Sequence, residues 1–407
     1  MEVIHRICAG MDVHKDSVVV CVRKMTGNKV ERELQTFGTM TSDLLRLGDW
    51  LEERGCKDAV IEATGVYWRP VWHILEERVD LVLANAHEVR NVPGRKTDVN
   101  DATWLADLLA HGLVRASFVP PEPIADLRAL TRTRKQLARE VADHTLRIQK
   151  VLETCNIKLA SVATDILGKS GRAMLEAIVG GEDDPEKLAG LARGLLRAKH
   201  GALVAALHGR VRAVHRRLIA SHLSLVDALR EQIHAIEAET EALLVPFAEA
   251  VELLQTIPGI GATAAQTIIA EIGVDMSRFP SAGHLRSWAG LCPRMDESAG
   301  KRRSTRTRKG NGWLKSLLVQ CAWAAIRKEG YLRALYHRIR RRQGSMKAVV
   351  AVAAAMLTAI YGMLRDRTPY RDLGPHHFAD EEKKALTNHL LRRLRGLGVD
   401  VEVRAAA

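Results

Sequence analysis

Six cysteines in 407 residues, at positions 8, 21, 56, 155, 292 and 321, share no short paired spacing. That scatter excludes a zinc knuckle and a disulfide framework, and it suits reduced thiols in a cytoplasmic protein. Also missing is any run of about eighteen uncharged apolar residues, the length a membrane-spanning helix needs. The N-terminus lacks a signal-peptide pattern. The richest apolar stretch, Ala348 to Leu364, is full of alanine and flanked by arginine, which suits a buried helix better than a membrane span. Nor does any strongly amphipathic basic helix carry a Trp/Phe face, so an anionic membrane surface is not the expected partner.

What the chain does have is apolar content and positive charge. Hydrophobic residues are 47% of the sequence, enough for real cores, and its length leaves room for about two or three domains. The formal net charge is +13. Between Arg294 and Lys347 stand sixteen Lys or Arg against three acids, so this segment carries the whole excess and the remaining chain is neutral. Such concentration is the electrostatic footprint of a polyanion binder.

Near the N-terminus three short strands are expected at Ile7–Val13, Ser17–Arg23 and Val30–Phe37, with turn chemistry at His14-Lys15-Asp16 and Thr26-Gly27-Asn28. A helix over Thr41–Arg54, a strand at Asp58–Ala63, a helix over Val66–Arg78 and a strand at Leu81–Ala84 follow. Three antiparallel strands followed by helix–strand alternation is the order of a ribonuclease H-like (RuvC-like) α/β fold. Asp12 and Glu62 then fall at strand ends. Thr97 reads as the N-cap of a helix whose apolar face begins at Ala102, which places Asp98 and Asp101 three apart on its first turn. Taken singly, each acid is as well explained as a surface or capping residue. Four carboxylates gathered without a cation would repel one another, and hard divalent cations such as Mg²⁺ or Mn²⁺ prefer oxygen ligands.

Beyond Pro120-Pro121 the pattern turns helical. Leu127, Leu130, Leu137, Val141, Ile148 and Val151 within 124–157, and Val211 to Leu243 within 203–244, recur at spacings of three, four or seven. Two long helices with a helical insertion at 160–197 would form an antiparallel coiled-coil arm for spacing or self-association. Arg134 and His144 interrupt the stripe, so a plain helical bundle is an equal reading.

Ile257-Pro-Gly-Ile-Gly261 between apolar helical stretches has the signature of a helix-hairpin-helix. Gly259 and Gly261 would permit a tight turn and present helix N–H groups to a DNA phosphate; a packing role is the alternative. Ser298, in a small Gly-containing loop, precedes Lys301, Arg302 and Arg303, with Arg306, Arg308 and Lys309 close behind. A hydroxyl amid cations can approach a phosphodiester and have the developing charge stabilised. From the residues alone, an ordinary loop serine is the simpler reading. A helix is expected over Leu314–Arg327, and a basic helix follows a Pro- and His-containing loop after Asp366.

Together these segments resemble the insertion-sequence 110 transposases over roughly residues 5 to 375. The residues that carry the resemblance are Gly10-Met-Asp-Val-His-Lys15, Ile61-Glu-Ala-Thr-Gly65, Lys96-Thr-Asp-Val-Asn-Asp-Ala102, Ile257-Pro-Gly-Ile-Gly261, Gly290-Leu-Cys-Pro293, Ser298-Ala-Gly300 and Lys309-Gly-Asn311. The resemblance implies that Asp12, Glu62, Asp98 and Asp101 hold Mg²⁺ (or Mn²⁺). It implies that Ser298 becomes covalently linked to cleaved DNA, and that a noncoding bridge RNA pairs with donor and target DNA. The family pattern has serine next to glycine, or Ser-Ser-Gly. Here Ala299 intervenes, which leaves Ser304 as the nearest rival nucleophile. The expected domains are a catalytic domain at 1–119, the arm at 120–248, a C-terminal transposase domain at 249–365 and a tail at 366–407. A homo-oligomer, dimer or tetramer, would form through the arm. A metal-dependent junction-resolving nuclease needing no serine is the competing function, and a non-catalytic nucleic-acid scaffold a third.

Overall fold

The computed structural model describes residues 2–63, 65–85, 89, 101–293, 296–298, 301–304, 306–307 and 309–396, with backbone alone at 296–298, 301–303, 379–386 and 388. The chain divides into two compact units, Met1–Val119 and Pro120–Ala407.

In the first unit β1 (Ile7–Val13), the Val-rich β2 (Ser17–Thr26) and β3 (Lys29–Gly38) form an antiparallel meander. Gly27 takes a φ of +61° in the two-residue turn between β2 and β3, a conformation open to glycine without strain. Helix α1 (Thr41–Glu53) leads to β4 (Asp58–Glu62), and α2 (Trp68–Leu75) leads to β5 (Asp80–Ala84). β4 pairs parallel with both β1 and β5, giving the strand order β3-β2-β1-β4-β5. The mixed α/β sheet read from the sequence is thus present, its element ends moved by at most three residues.

Alternation of side chains assigns the sheet two faces. Ala9, Met11, Val18, Val20, Ala59 and Ile61 pack with Leu44, Leu47 and Leu51 of α1 and Val71 and Leu75 of α2. Cys8, Val60 and Ala84 face the other way, toward Leu105, Leu108 and Leu109 of helix α3 (Asp101–Ala110). Apolar residues on both sides explain why β1 and β4 read as nearly continuous hydrophobic runs.

The second unit is helical apart, among the described residues, from a two-stranded hairpin. The long α4 (Glu122–Thr154) is followed by α5 (Leu159–Val162), α6 (Lys169–Val179), α7 (Pro185–Gly190) and α8 (His200–Leu207), then the long α9 (Ala213–Leu244). Arg134 meets Glu237 at 2.7 Å, His144 meets His222 at 3.0 Å and Cys155 meets His215 at 2.9 Å. One number rises as the other falls, so α4 and α9 run antiparallel. The insertion packs Met174, Leu175, Ile178 and Leu203 onto Ile148 and Leu152 of α4 and Ile219 and Leu223 of α9.

The continuous helix expected over 203–244 is interrupted between α8 and α9. The Arg210 N–H donates to the Cys155 carbonyl at 2.9 Å, and a Cβ on Gly209 would lie 2.4 Å from that oxygen. The chain leaves helical geometry to cap the C-terminus of α4.

Next come α10 (Ala248–Gln255), α11 (Ala262–Ile272), α12 (Ala282–Trp288), β6 (Asp296–Ser298), β7 (Lys301–Ser304), α13 (Gly312–Ala325), α14 (Tyr331–Gln343), α15 (Ser345–Asp366) and α16 (His377–Gly396). By length and composition α15 could cross a membrane, but 56% of its most apolar window is buried inside the protein, and it packs against α12, α13 and α14. It is the core helix expected from its alanines. All six cysteines are free, and burial pushes the Cys8 and Cys56 thiols up to about 12.

Candidate active site

The first unit places two of the expected acids beside each other. β1 and β4 are in register as Ala9↔Ala59, Gly10↔Val60 and Met11↔Ile61, so the next step of the ladder sets Asp12 next to Glu62. By alternation both acids point to the face that α3 covers. Glu62 is buried at 4% exposure, and Asp12 lies 3.2 Å from His14 Nε2. Asp101 opens the described part of α3. Asp98 and the N-cap expected at Thr97 lie outside the described residues.

Gly10 sets the approach of α3, a role that sequence reasoning did not assign. A Cβ there would fall 2.1 Å from the Ala102 carbonyl oxygen and 2.5 Å from the Ala106 nitrogen, so only glycine admits the helix at this depth. A glycine inside a strand pattern is the signal that could have shown it. The opposite end of α3 is fixed by Asp107, which accepts from Arg23 Nε and Arg32 Nη2, each at 2.9 Å. The helix start bearing Asp101 is therefore held against the strand that carries Asp12.

Donor chemistry in this corner fits a divalent cation. The groups are hard oxygens, and Mg²⁺ is commonly held by about one or two carboxylates plus water and phosphate oxygens. Among the described residues no three of His, Cys, Asp and Glu are gathered as a metal group. Asp12 and Glu62 could hold such an ion together with water and substrate oxygens.

The serine occupies a strand end instead of the loop expected for it. Ser298 closes β6 and pairs with Lys301, the first residue of β7, while Asp296 pairs with Ser304. The side chains of Ser298, Lys301, Arg302 and Arg303 lie outside the described residues, as does Arg308. Ser304 is half-buried, and its Oγ accepts from the Arg306 N–H at 3.2 Å. Arg306 and Lys309 are exposed.

Two of the quoted motifs clamp the base of this hairpin. Pro293 and Thr307 form a bridge, the Asn311 N–H donates to the Trp288 carbonyl at 3.1 Å, and a Cβ on Gly310 would fall 2.4 Å from the Gly290 nitrogen. Asn311 Oδ1 caps α13 by accepting from the N–H groups of Trp313 and Leu314. Its Nδ2 donates to Glu271 Oε2 at 2.5 Å. Glu271 is fully buried at the end of α11 and is bound in fork fashion by Arg132 at 2.7 and 2.8 Å. Asn311 thus ties the hairpin's exit to α4 and α11. The side chains that grip Glu271 lie 40 or more residues from it, so no local spacing signals them.

Gly259 and Gly261 differ in their surroundings. Gly259, with φ +85°, lies against α13, where a Cβ would be 2.5 Å from the Cys321 carbonyl oxygen. Gly261 is the exposed N-cap of α11, and nothing lies within 4 Å of a Cβ built there.

A transposase family model of the DEDD type for IS110 elements matches residues 9–157, and the model described as transposase IS116/IS110/IS902 family matches residues 251–337. The chain belongs to the IS110 family of transposases. A 43.6 kDa protein of insertion element IS110 from Streptomyces coelicolor is 28% identical over 312 residues, which is 70% of this chain and 74% of the relative. A 42 kDa protein of insertion element IS900 from Mycobacterium paratuberculosis is 27% identical over 329 residues, 72% of this chain and 80% of the relative. A pilin gene-inverting protein of Moraxella bovis is 33% identical over 124 residues, covering 29% of this chain and 38% of that protein. The transposase is accordingly an enzyme of DNA strand transfer, and its DEDD-type domain points to divalent-metal dependence.

Proposed function

We propose that this transposase cuts and rejoins DNA through a covalent link to Ser298, with Asp12, Glu62, Asp98 and Asp101 of a RuvC-like domain as the Mg²⁺ (or Mn²⁺) ligands. The observation that carries the reading is the register that sets Asp12 beside Glu62 under the first turn of α3. The pairing of Ser298 with Lys301 at the tip of a clamped basic hairpin supports the second half.

The Ser298 Oγ attacks phosphorus, loses its proton to a base, and forms an O–P bond as the bond to the departing sugar oxygen breaks. The released oxygen takes up a proton. Attack by a second strand's hydroxyl on the phosphoserine reverses these changes and joins new ends, so bond energy is conserved and no external energy source is needed. Lys301, Arg302 and Arg303 stabilise charge developing on the phosphate. A divalent cation bound by the carboxylates would polarise phosphate oxygens and orient the strand.

The bridge RNA belongs to the same reading as the partner that selects donor and target. α4 and α9 serve as the coiled-coil arm of a homo-oligomer, and the turn between α10 and α11 serves as a helix-hairpin-helix that contacts DNA backbone at Gly261. The test is strand exchange on donor and target DNA with the element's RNA, Mg²⁺ and no nucleotide cofactor. Joined products are expected from the parent and none from Ser298→Ala. Cleavage to free ends by Ser298→Ala at the parent rate would favour two-metal hydrolysis instead.

A further inference from the structure

We propose that Lys135 and Arg139 of α4, gathered around Trp313 of α13, form a docking site for the phosphodiester backbone of nucleic acid. Its two cations lie outside the basic segment 294–347 that dominates the charge count, and the site rests on the functional reading only in taking the ligand to be nucleic acid.

Arg128, Arg132, Lys135 and Arg139 recur at spacings of four, three and four, which lines them along one face of α4. Arg132, Lys135 and Arg139 each stand 5.5 Å from the centre of the Trp313 ring. Cations crowded in this way repel one another. The ring's quadrupole offsets part of that repulsion and desolvates the apolar stems. Their charges are then treated differently along the stripe. Arg128 and Arg132 are matched by buried Glu271, at 3.6 and 2.7 Å. Lys135 and Arg139 are matched by no carboxylate within ion-pair distance among the described residues. Among the described residues the Lys135 ammonium donates only to Ser316 Oγ, at 3.1 Å. Burial first, and Arg139 second, hold its pKa below the usual lysine range.

The neutralised half of the stripe therefore anchors α13 and the hairpin to α4, while the other half presents two cations in fixed positions about 6 Å apart along the helix. Lys315, next along α13, donates to Thr307 Oγ1 at 2.6 Å and so ties the base of the basic hairpin to the same helix. Cations that α4 supplies from more than 150 residues earlier thus extend the basic segment. Trp313 is covered by cations, so it positions charge and does not serve as a platform for base stacking. Recognition by these residues is then indifferent to sequence.

The experiment compares the full-length parent with Lys135→Met/Arg139→Met, which keeps the apolar stems on Trp313. Affinity is read between 50 and 200 mM salt for one duplex DNA and one structured RNA of matched length. Loss of two phosphate contacts should lower the slope of log K against log salt by about two on duplex DNA, so the variant loses roughly tenfold less affinity over that range. The charge-retaining Lys135→Arg/Arg139→Lys variant should keep the parent slope. A fall on DNA alone, on RNA alone, or on both supports the site and identifies the strand it holds. An unchanged slope on both ligands, from a Met variant that melts at the parent temperature, overturns the proposal. If that variant melts early, loss of slope in the charge-retaining variant, with melting unchanged, would equally overturn it. Continued strand exchange by a variant with unchanged slopes removes this site alone, whereas failure of the parent to bind either ligand removes the functional reading.

Discussion

The acids of the first unit and the cations of the second are positioned by opposite means. Asp12 and Glu62 lie near the ends of neighbouring parallel strands, and the sheet ladder itself places them. The hairpin bearing Ser298 has only a short, irregular ladder of its own, and its position comes from outside it: the Gly290–Gly310 contact, the Pro293–Thr307 bridge and the Asn311–Glu271 bond. Repeating secondary structure can hold groups that must stay at a fixed distance. A segment clamped only at its base suits a group that must meet an incoming polymer. The difference predicts that damage to the first unit's geometry is felt in chemistry, and damage to the second unit's clamp is felt first in stability and binding.

The largest effect is expected at the acids. Asp12→Ala or Glu62→Ala should abolish DNA cleavage in Mg²⁺ while the circular dichroism spectrum stays that of the parent. Parent-rate cleavage by either variant, with or without EDTA, would remove the metal site from the account.

Next come the two clamps. Gly10→Ala drives a methyl into the backbone of α3, and about 3 kcal/mol of the first unit's stability should be lost, because backbone cannot move aside as a side chain can. In the second unit, Glu271→Ala leaves Arg132 without its buried partner, a loss of about 3–5 kcal/mol. Denaturant melts of both variants measure these numbers. A Glu271 variant as stable as the parent would show that the hairpin is not clamped through Asn311.

These positions also show how far the sequence could be read. Strand β1 was legible to the residue, since its nearly continuous apolar run stops at the turn residues His14-Lys15-Asp16. The Asp12–Glu62 pair followed from strand ends alone. Gly10 was quoted for its motif, yet its steric role appears only when the helix that crosses it is known. Ser298 was read as a loop residue because a three-residue strand has too few side chains to show alternation. Glu271 was invisible for a different reason: its partners Arg132 and Asn311 come from two distant segments. The break between α8 and α9 was likewise missed, since apolar spacing continues through it while a backbone hydrogen bond to Cys155 ends the helix.

A smaller effect concerns salt. Neutralising Arg302, Arg303, Arg306 and Arg308 together should lower the slope of log K against log salt for duplex DNA by up to about four. An unchanged slope would move the polyanion contact away from the hairpin. Smallest is a pH effect at the α4–α9 pair. Burial first, then His144 and Arg147 on α4, lower the His222 pKa. Its folded value lies below its unfolded one, so the unfolded chain binds more protons as pH falls, and stability present at neutral pH declines through the ordinary histidine range. The melting temperature should drop by roughly 2 °C between pH 7.5 and 5.5, and His222→Asn should flatten that drop.

The central claim, that DNA becomes attached to the hairpin serine, is tested most directly by trapping. A nicked substrate that lets the departing end diffuse away is incubated with the parent in Mg²⁺, the protein is denatured, and the DNA-bearing peptide is sequenced by mass spectrometry. The account predicts a denaturation-resistant adduct on Ser298, and Ser298→Ala that still binds DNA but forms none. An adduct on Ser304 would keep the mechanism and move the nucleophile across Ala299. Cleaved DNA with no adduct, at equal rates in parent and Ser298→Ala, would contradict the account and leave hydrolysis at the carboxylates as the chemistry.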